Sequence, residues 1–188
     1  MMQRARLKMI RHAPALHGGA LAGRRDVAAD ISDRAGLAGL RQALAGQGRV
    51  ISSPALRCRQ TATALFPRAE LTQDARLWEQ DFGAWEGVAF DALPDLGPQS
   101  RADLAAHCPP SGESFADVCA RVGPALQEIA ALGDAVIVAH AGVIRAGLAL
   151  AMDTVPQALA FEIVPLSLTE LHWLGAHGWS VACVNWRV

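Results

Sequence analysis

Gly133-Asp134-Ala135-Val136-Ile137-Val138-Ala139-His140-Ala141-Gly142-Val143-Ile144-Arg145 is the stretch that decides the fold. Gly133-Asp134 is a turn signal. Ala135 to Ala139 is an unbroken apolar run of strand length, the pattern of a strand buried on both faces. His140 closes the run, and Gly142 to Met152 reads as a helix. A buried strand feeding directly into a helix is the repeating unit of an α/β fold. The whole apolar stretch from Ala135 to Met152 is long, but His140 and Arg145 inside it argue against a membrane span.

The same alternation appears on the N-terminal side. Arg6 to Ile10 reads as a short strand running straight into Arg11-His12. A short helix is expected over Leu37 to Ala45, ending near Gly46, and a second strand over Gly48 to Ile51. Ser53-Pro54 then reads as the start of a helix through about Leu65, with serine as cap and proline at the first helical position. Leu71 to Leu77 looks like an edge strand. Trp78 to Ser111 is different in kind: Gly83, Gly87, Pro94, Gly97, Pro98, Pro109 and Pro110 interrupt it. It is expected to leave the main sheet as an excursion with short helices. Ser114-Phe115-Ala116-Asp117 resembles a capping box with aspartate in place of glutamate, opening a helix to about Leu132. Leu166 to Trp173 and Trp179 to Asn185, joined at Gly175 to Gly178, read as a terminal hairpin. Strands alternating with helices predict a largely parallel sheet.

The chain of 188 residues is 52% hydrophobic, enough for a sizeable core. A formal net charge of −1 gives no basic excess, so neither nucleic acid nor an anionic membrane is expected as a partner. Lys8 is the only lysine, and the other cations are arginines. Genomic base composition accounts for that bias, and so does a need for bidentate oxyanion binding. Cys58, Cys108, Cys119 and Cys183 lie far apart, with no support for a disulfide framework or a zinc site. The basic Met1-Met2-Gln3-Arg4-Ala5-Arg6 is followed by no signal-like apolar stretch, so a cytoplasmic location is expected.

Three of the expected strands end in titratable or charged residues. The first ends at Arg11-His12, the second leads through Ser52-Ser53-Pro54 to Arg57, and the fourth ends at His140. Ligands of open α/β sheets sit outside the carboxyl ends of the strands. Two arginines and two histidines converging there would repel one another unless the site holds a dianion such as phosphate. Two helix N-termini, after Ser53 and after His140, are expected to aim donors at the same place. Each piece alone is bland: Arg-His pairs cap surfaces, strand-end histidines hydrogen-bond structurally, and arginines in first helical turns are commonly solvated. Their joint placement at strand ends is what points to chemistry. Gly112-Glu113-Ser114-Phe115-Ala116 nearly matches the serine-hydrolase elbow, but no strand precedes it, so Ser114 reads as a helix cap. His17, His107, His172 and His177 have no partner at metal-ligand spacing.

With these residues in place the chain resembles the histidine phosphatase superfamily, the phosphoglycerate-mutase-like enzymes. The resemblance rests on Arg11-His12, on Ser53-Pro54-Ala55-Leu56-Arg57 with Gln60-Thr61-Ala62, and on Leu77-Trp78-Glu79-Gln80-Asp81-Phe82-Gly83-Ala84-Trp85-Glu86-Gly87. Gly112-Glu113-Ser114 and Ala139-His140-Ala141-Gly142-Val143-Ile144-Arg145 complete it, in order over nearly the whole chain. It implies a three-layer αβα sandwich forming a single domain over 1–188, with a lid-like excursion at about 78–111. It implies His12 as nucleophile, Arg11, Arg57 and His140 as phosphate ligands with His140 also catalytic, and Glu79 as general acid and base. No metal or other cofactor is implied. Glu86 lies in the same segment as Glu79, but the L-x-E before F-G selects Glu79, leaving Glu86 to pin the turn that follows it.

Two positions depart from the pattern: Ala15 replaces a frequent serine or threonine, and Ser111 a frequent glycine. The stretch Asp81 to Gly87 most resembles α-ribazole phosphatases of cobalamin biosynthesis, making a small phosphate ester the expected partner. Phosphoglycerate mutase, phosphoprotein phosphatase and a non-catalytic phosphate-ligand module are the alternatives. The compact excursion disfavours the mutase, its presence disfavours the short phosphohistidine phosphatases, and intact His12, Glu79 and His140 disfavour the binding module.

Overall fold

A computed structural model describes residues 4–46 and 48–187, so the first three residues of the basic N-terminal stretch lie outside it. The chain runs β1 (Ala5–Arg11), α1 (Arg34–Ala43), β2 (Val50–Ser52), α2 (Leu56–Leu65) and β3 (Leu71–Gln73). After three 3₁₀ turns come α3 (Arg101–Ala106), α4 (Phe115–Ala131), β4 (Ala135–Ala139), α5 (Ala141–Met152) and α6 (Val155–Ala158). β5 (Leu168–Trp173) and β6 (Trp179–Trp186) close the fold as an antiparallel hairpin.

The six strands form one sheet in the order β3-β2-β4-β1-β5-β6. β3, β2, β4 and β1 are parallel, and β5 turns antiparallel against β1. The deciding stretch sits at the centre. All five residues of β4 are buried, and their alternation supplies both layers. Ala135, Ile137 and Ala139 join Leu7 and Met9 under α4 and α5, whereas Val136 and Val138 join Ile10 under α1 and α2. On α4, Val118, Val122, Leu126 and Ile129 form one buried stripe at helical spacing. Burying each such side chain contributes about 1.5–3 kcal/mol. The architecture is the expected α/β one, helices on both faces of a mostly parallel sheet.

Several boundaries move for local reasons. α1 starts at Arg34 rather than Leu37 because the Asp33 carboxylate accepts from the Gly36 N–H at 2.9 Å. The strand expected over Leu71 to Leu77 stops at Gln73, where Asp74 caps a 3₁₀ turn by accepting from the Arg76 N–H. α2 starts at Leu56 and has no side-chain cap, so Ser53 is not the helix cap the sequence suggested. Its hydroxyl is used elsewhere. α6 was not anticipated. The Ala135–Met152 stretch is β4 plus α5, and no helix of the described residues is long and apolar enough to cross a membrane.

The segment between β3 and α4 leaves the sheet, as its glycines and prolines imply. It is tied back at several points: Ala89 bridges Ala20, Phe90 N–H donates to Gly19 O at 3.0 Å, and Gly87 N–H donates to Leu21 O at 2.9 Å. It rejoins the main fold through Ser114. The Ser114 hydroxyl accepts from Asp117 N–H at 3.1 Å and the Asp117 carboxylate accepts from Ser114 N–H at 2.9 Å, a reciprocal capping box. Ser114→Ala is therefore expected to lower the urea midpoint by the equivalent of about 1 kcal/mol with an unchanged m-value.

Candidate active site

Strand register builds the site. Arg11 of β1 pairs with Ala139 of β4, and Ser52 of β2 pairs with Val138. One step further, His12 N–H donates to Ala139 O at 2.9 Å and Ser53 N–H donates to Val138 O at 3.0 Å. His12, Ser53 and His140 thus emerge side by side at the carboxyl edge of three adjacent strands. The two imidazole rings lie 5.1 Å apart, edge to face.

His12 is buried, and its Nδ1 sits 2.6 Å from Ala13 O. Only a protonated Nδ1 can donate to a carbonyl, so this contact fixes the tautomer and leaves Nε2 as the free lone pair. The Ala13 N–H in turn donates to Thr61 Oγ1 at 3.0 Å, anchoring the turn on α2. The His12 pKa is pushed down from 6.5 to about 3, first by burial and then by the charges of Arg57 and Arg11, against the Ala13 hydrogen bond. Burial outweighs the two arginines. His140 is fully buried and also held well below 6.5, by burial first and then by His12, Arg57 and Arg11. Its Nε2 lies 2.8 Å from Ser53 Oγ and 3.4 Å from Cys58 Sγ. Burial pushes the Cys58 thiol up, which leaves it an inert neighbour.

Among the described residues, neither arginine has a direct carboxylate partner. Arg57 is 1% exposed, and its guanidinium donates to Arg25 O at 2.9 Å, Gly23 O at 2.7 Å and Ala22 O at 3.4 Å. Arg11 donates through Nη1 to Ile163 O at 2.5 Å, and its Nε is buried with no partner. Burial lowers the Arg11 pKa, a tendency the Glu79 charge opposes. A buried, unsatisfied guanidinium N–H beside two imidazoles is a ready donor for an incoming oxyanion.

Glu79 reaches this edge from the segment after β3. Its Oε2 accepts from Gly142 N–H at 3.2 Å and its Oε1 from Gln80 N–H at 3.1 Å. A β-carbon at position 142 would lie 2.2 Å from Glu79 Oε1, so any larger residue there would push the carboxylate aside. The donors expected from two helix ends are therefore partly committed: Gly142 N–H serves Glu79, and Leu56 N–H at the start of α2 donates to Asp26 at 2.6 Å. Trp78 stacks on His140, rings 6.4 Å apart and nearly parallel, and Arg24 lies 5.6 Å from the Trp78 ring centroid. Trp85 stacks instead on His107.

The five residues singled out from the sequence, Arg11, His12, Arg57, Glu79 and His140, are thus brought to one place. Three supporting residues were missed. Ser53 was read as a cap. Arg121 of α4 grips Glu113 with two 2.9 Å contacts and donates to the backbone carbonyls of Arg76 and Glu79, suspending the Glu79 segment. Glu113 also accepts from Asp81 N–H at 3.0 Å. Glu113 stood in a quoted motif without a role, and nothing in the spacing of Arg121 marks it. Glu86 does not pin the turn after it. Its carboxylate accepts from Phe82 N–H and from the N–H groups of Gly23, Arg24 and Arg25.

The His12 environment sets a pH dependence. In the unfolded chain this imidazole takes a proton near 6.5, in the folded chain only near 3. Above 6.5 both states are neutral there and nothing is lost; as pH falls from 6.5 towards 3 the unfolded state alone gains a proton, so stability falls. In NMR, the His12 and His140 ring nitrogens of the free protein should keep neutral-imidazole shifts between about pH 5 and pH 8.

Comparison with known proteins agrees with this geometry. The model of the histidine phosphatase superfamily (branch 1) matches residues 7–187. A bifunctional protein of Mycobacterium tuberculosis is 34% identical over 151 residues, which is 74% of this chain and 41% of that protein. The chain spans less than half the length of the curated relatives it matches. The mycobacterial glucosyl-3-phosphoglycerate phosphatase superposes with a TM-score of 0.82 at 26% identity, covering 97% of this chain and 99% of that one. An Escherichia coli protein described as a candidate α-ribazole-5′-phosphate phosphatase shares the fold, with a TM-score of 0.82 at 19% identity, covering 98% and 97% of the two chains. With the family match running from β1 to the end of β6, the chain belongs to the histidine phosphatase superfamily.

Proposed function

We propose that the chain hydrolyses a small phosphate monoester by way of a phosphohistidine on His12, with no metal ion in the chemistry. What supports this most is His12 itself: a buried, neutral imidazole, its tautomer fixed by Ala13 O and its neighbours Arg11, Arg57 and His140. In the first step Nε2 attacks phosphorus and the ester P–O bond breaks. Glu79 donates a proton to the leaving oxygen, because an alcohol cannot depart as a bare alkoxide. In the second step a water oxygen attacks phosphorus, the N–P bond breaks, and the Glu79 carboxylate takes the water proton. The guanidinium groups of Arg11 and Arg57, with His140, spread the equatorial charge of the transition state. A neutral imidazole is what the first step requires, since an imidazolium has no lone pair to offer.

α-Ribazole 5′-phosphate is the substrate we propose first, on the stretch Asp81 to Gly87. A phosphoglycerate-type ester is a second reading. It is favoured by the likeness to the glucosyl-3-phosphoglycerate phosphatase and by Arg24, whose buried Nε has no partner and could meet a second anion. Phosphate release from a panel holding both esters and 3-phosphoglycerate separates them.

Labelled substrate quenched during turnover should leave acid-labile, base-stable phosphate on the wild-type protein and none on His12→Ala. Unchanged turnover in His12→Ala would end the mechanism, and strong inhibition by EDTA would point to a metal enzyme instead.

The acid is tested by leaving group. An alkyl phosphate expels an alkoxide about as basic as hydroxide, whose parent water has a pKa of roughly 16. A phenyl phosphate expels a phenoxide of conjugate-acid pKa about 10. Glu79→Gln should slow single-turnover labelling of His12 far more from the alkyl ester than from the phenyl ester. The reverse pattern, with Glu86→Gln showing that dependence, would move the acid to Glu86.

A further inference from the structure

Among the described residues no carboxylate contacts Arg57, a buried cation. Its three acceptors belong to one loop, the carbonyls of Ala22, Gly23 and Arg25. The amides of that same loop face the other way. Gly23 N–H lies 3.1 Å from both Glu86 oxygens, Arg24 N–H 2.8 Å from Oε1 and Arg25 N–H 3.2 Å from Oε2. The peptide planes Ala22–Gly23 and Gly23–Arg24 are therefore each held at both ends, the N–H by Glu86 and the C=O by Arg57. A β-carbon on Gly23 would lie 1.9 Å from Gln80 O and 2.6 Å from Glu86 Oε1, so only glycine fits between them.

We propose that Glu86 is a positioning residue for phosphate binding, acting on Arg57 through these two peptide groups. This inference rests on the reading that Arg57 binds the phosphoryl group. A carboxylate, two aligned peptide dipoles and a guanidinium in series polarise one another. The arrangement supplies a countercharge for Arg57 at one peptide's remove. A direct ion pair would occupy the planar fork with which arginine meets an oxyanion. Glu86→Gln keeps the shape but turns one acceptor into an NH₂ facing amide donors, which lets the loop and its carbonyls shift.

The test is a double-mutant cycle read as competitive inhibition by vanadate and by inorganic phosphate during hydrolysis of a phenyl phosphate. Circular dichroism and thermal unfolding establish that each variant is folded. Arg57→Ala should weaken vanadate about a hundredfold, as loss of a buried charged donor does. Glu86→Gln should weaken it about tenfold in the wild-type background, but less than about twofold when Arg57 is already alanine. Glu86→Asp, which keeps the charge, should recover part of the affinity. Where Glu86→Gln does not fold, Glu86→Asp runs the same cycle; Arg57→Lys replaces Arg57→Ala on the same ground. Unchanged vanadate affinity in Glu86→Gln, or an equal loss in both backgrounds, overturns the proposal while leaving Arg57 as a ligand. Unchanged affinity in Arg57→Ala overturns the phosphate reading of Arg57 itself, and the positioning role with it.

Discussion

The rest of the structure is arranged around one electrostatic problem, the placing of one buried and one partly buried guanidinium group at one sheet edge with no carboxylate among the described residues bound to either. An uncompensated buried charge costs several kcal/mol even after relaxation. Backbone carbonyls carry most of the compensation here: three from the 22–25 loop for Arg57 and Ile163 O for Arg11. Carbonyl dipoles stabilise a cation without cancelling its net charge. The two imidazoles between the arginines contribute nothing to the repulsion, because burial keeps both neutral. What remains is a sheet edge that carries two guanidinium charges and an unsatisfied donor, Arg11 Nε.

That requirement explains why the loops are placed as they are. The 20–30 loop has to present its carbonyls to Arg57, and it is fixed on α2 by Asp26 to Leu56 N–H and by Ala29 N–H to Gln60. The 161–167 loop presents Ile163 O to Arg11, while Arg145 of α5 donates to Phe161 O at 2.9 Å. Two arginines outside the proposed site are met by carboxylates instead. Arg121 is satisfied by Glu113, and Arg76 by Asp74 and Glu128. Arg121 and Arg76, paired with carboxylates, hold the framework; Arg11 and Arg57, met by carbonyls, face the place where an anion is proposed to bind, and carbonyls also hold Arg41, Arg49 and Arg59 elsewhere.

The carboxylates divide in the same way. Glu113 and Glu86 are spent on amides and on a guanidinium, as parts of the scaffold. Glu79 has only two backbone contacts, of 3.1 and 3.2 Å, and stands beside Gly142 at the strand edge. A proton-transferring group needs that looseness, since bonds that hold it firmly in one ionisation state oppose the transfer.

The sequence by itself determined the alternation of strand and helix, the central place of Ala135 to Ala139, and the strand ends that carry Arg11-His12 and His140. Those readings follow from hydrophobic period and chain direction, which are local properties. It also pointed to Glu79 over Glu86 as the proposed acid, by motif rather than by physics. The tertiary structure alone decided what each polar side chain meets. Ser53 reads locally as a helix cap, but the pairing of β2 with β4 sets it beside His140, 87 residues away. Glu86 reads as a turn residue, but its partners are the amides of residues 23–25, brought against it where the excursion folds back over the loop after β1. Arg121 carries no spacing signal, because its partners, the carbonyls of Arg76 and Glu79, lie more than forty residues back along the chain. A buried charge is compensated by whatever the fold brings within about 3 Å of it, and sequence distance does not encode that.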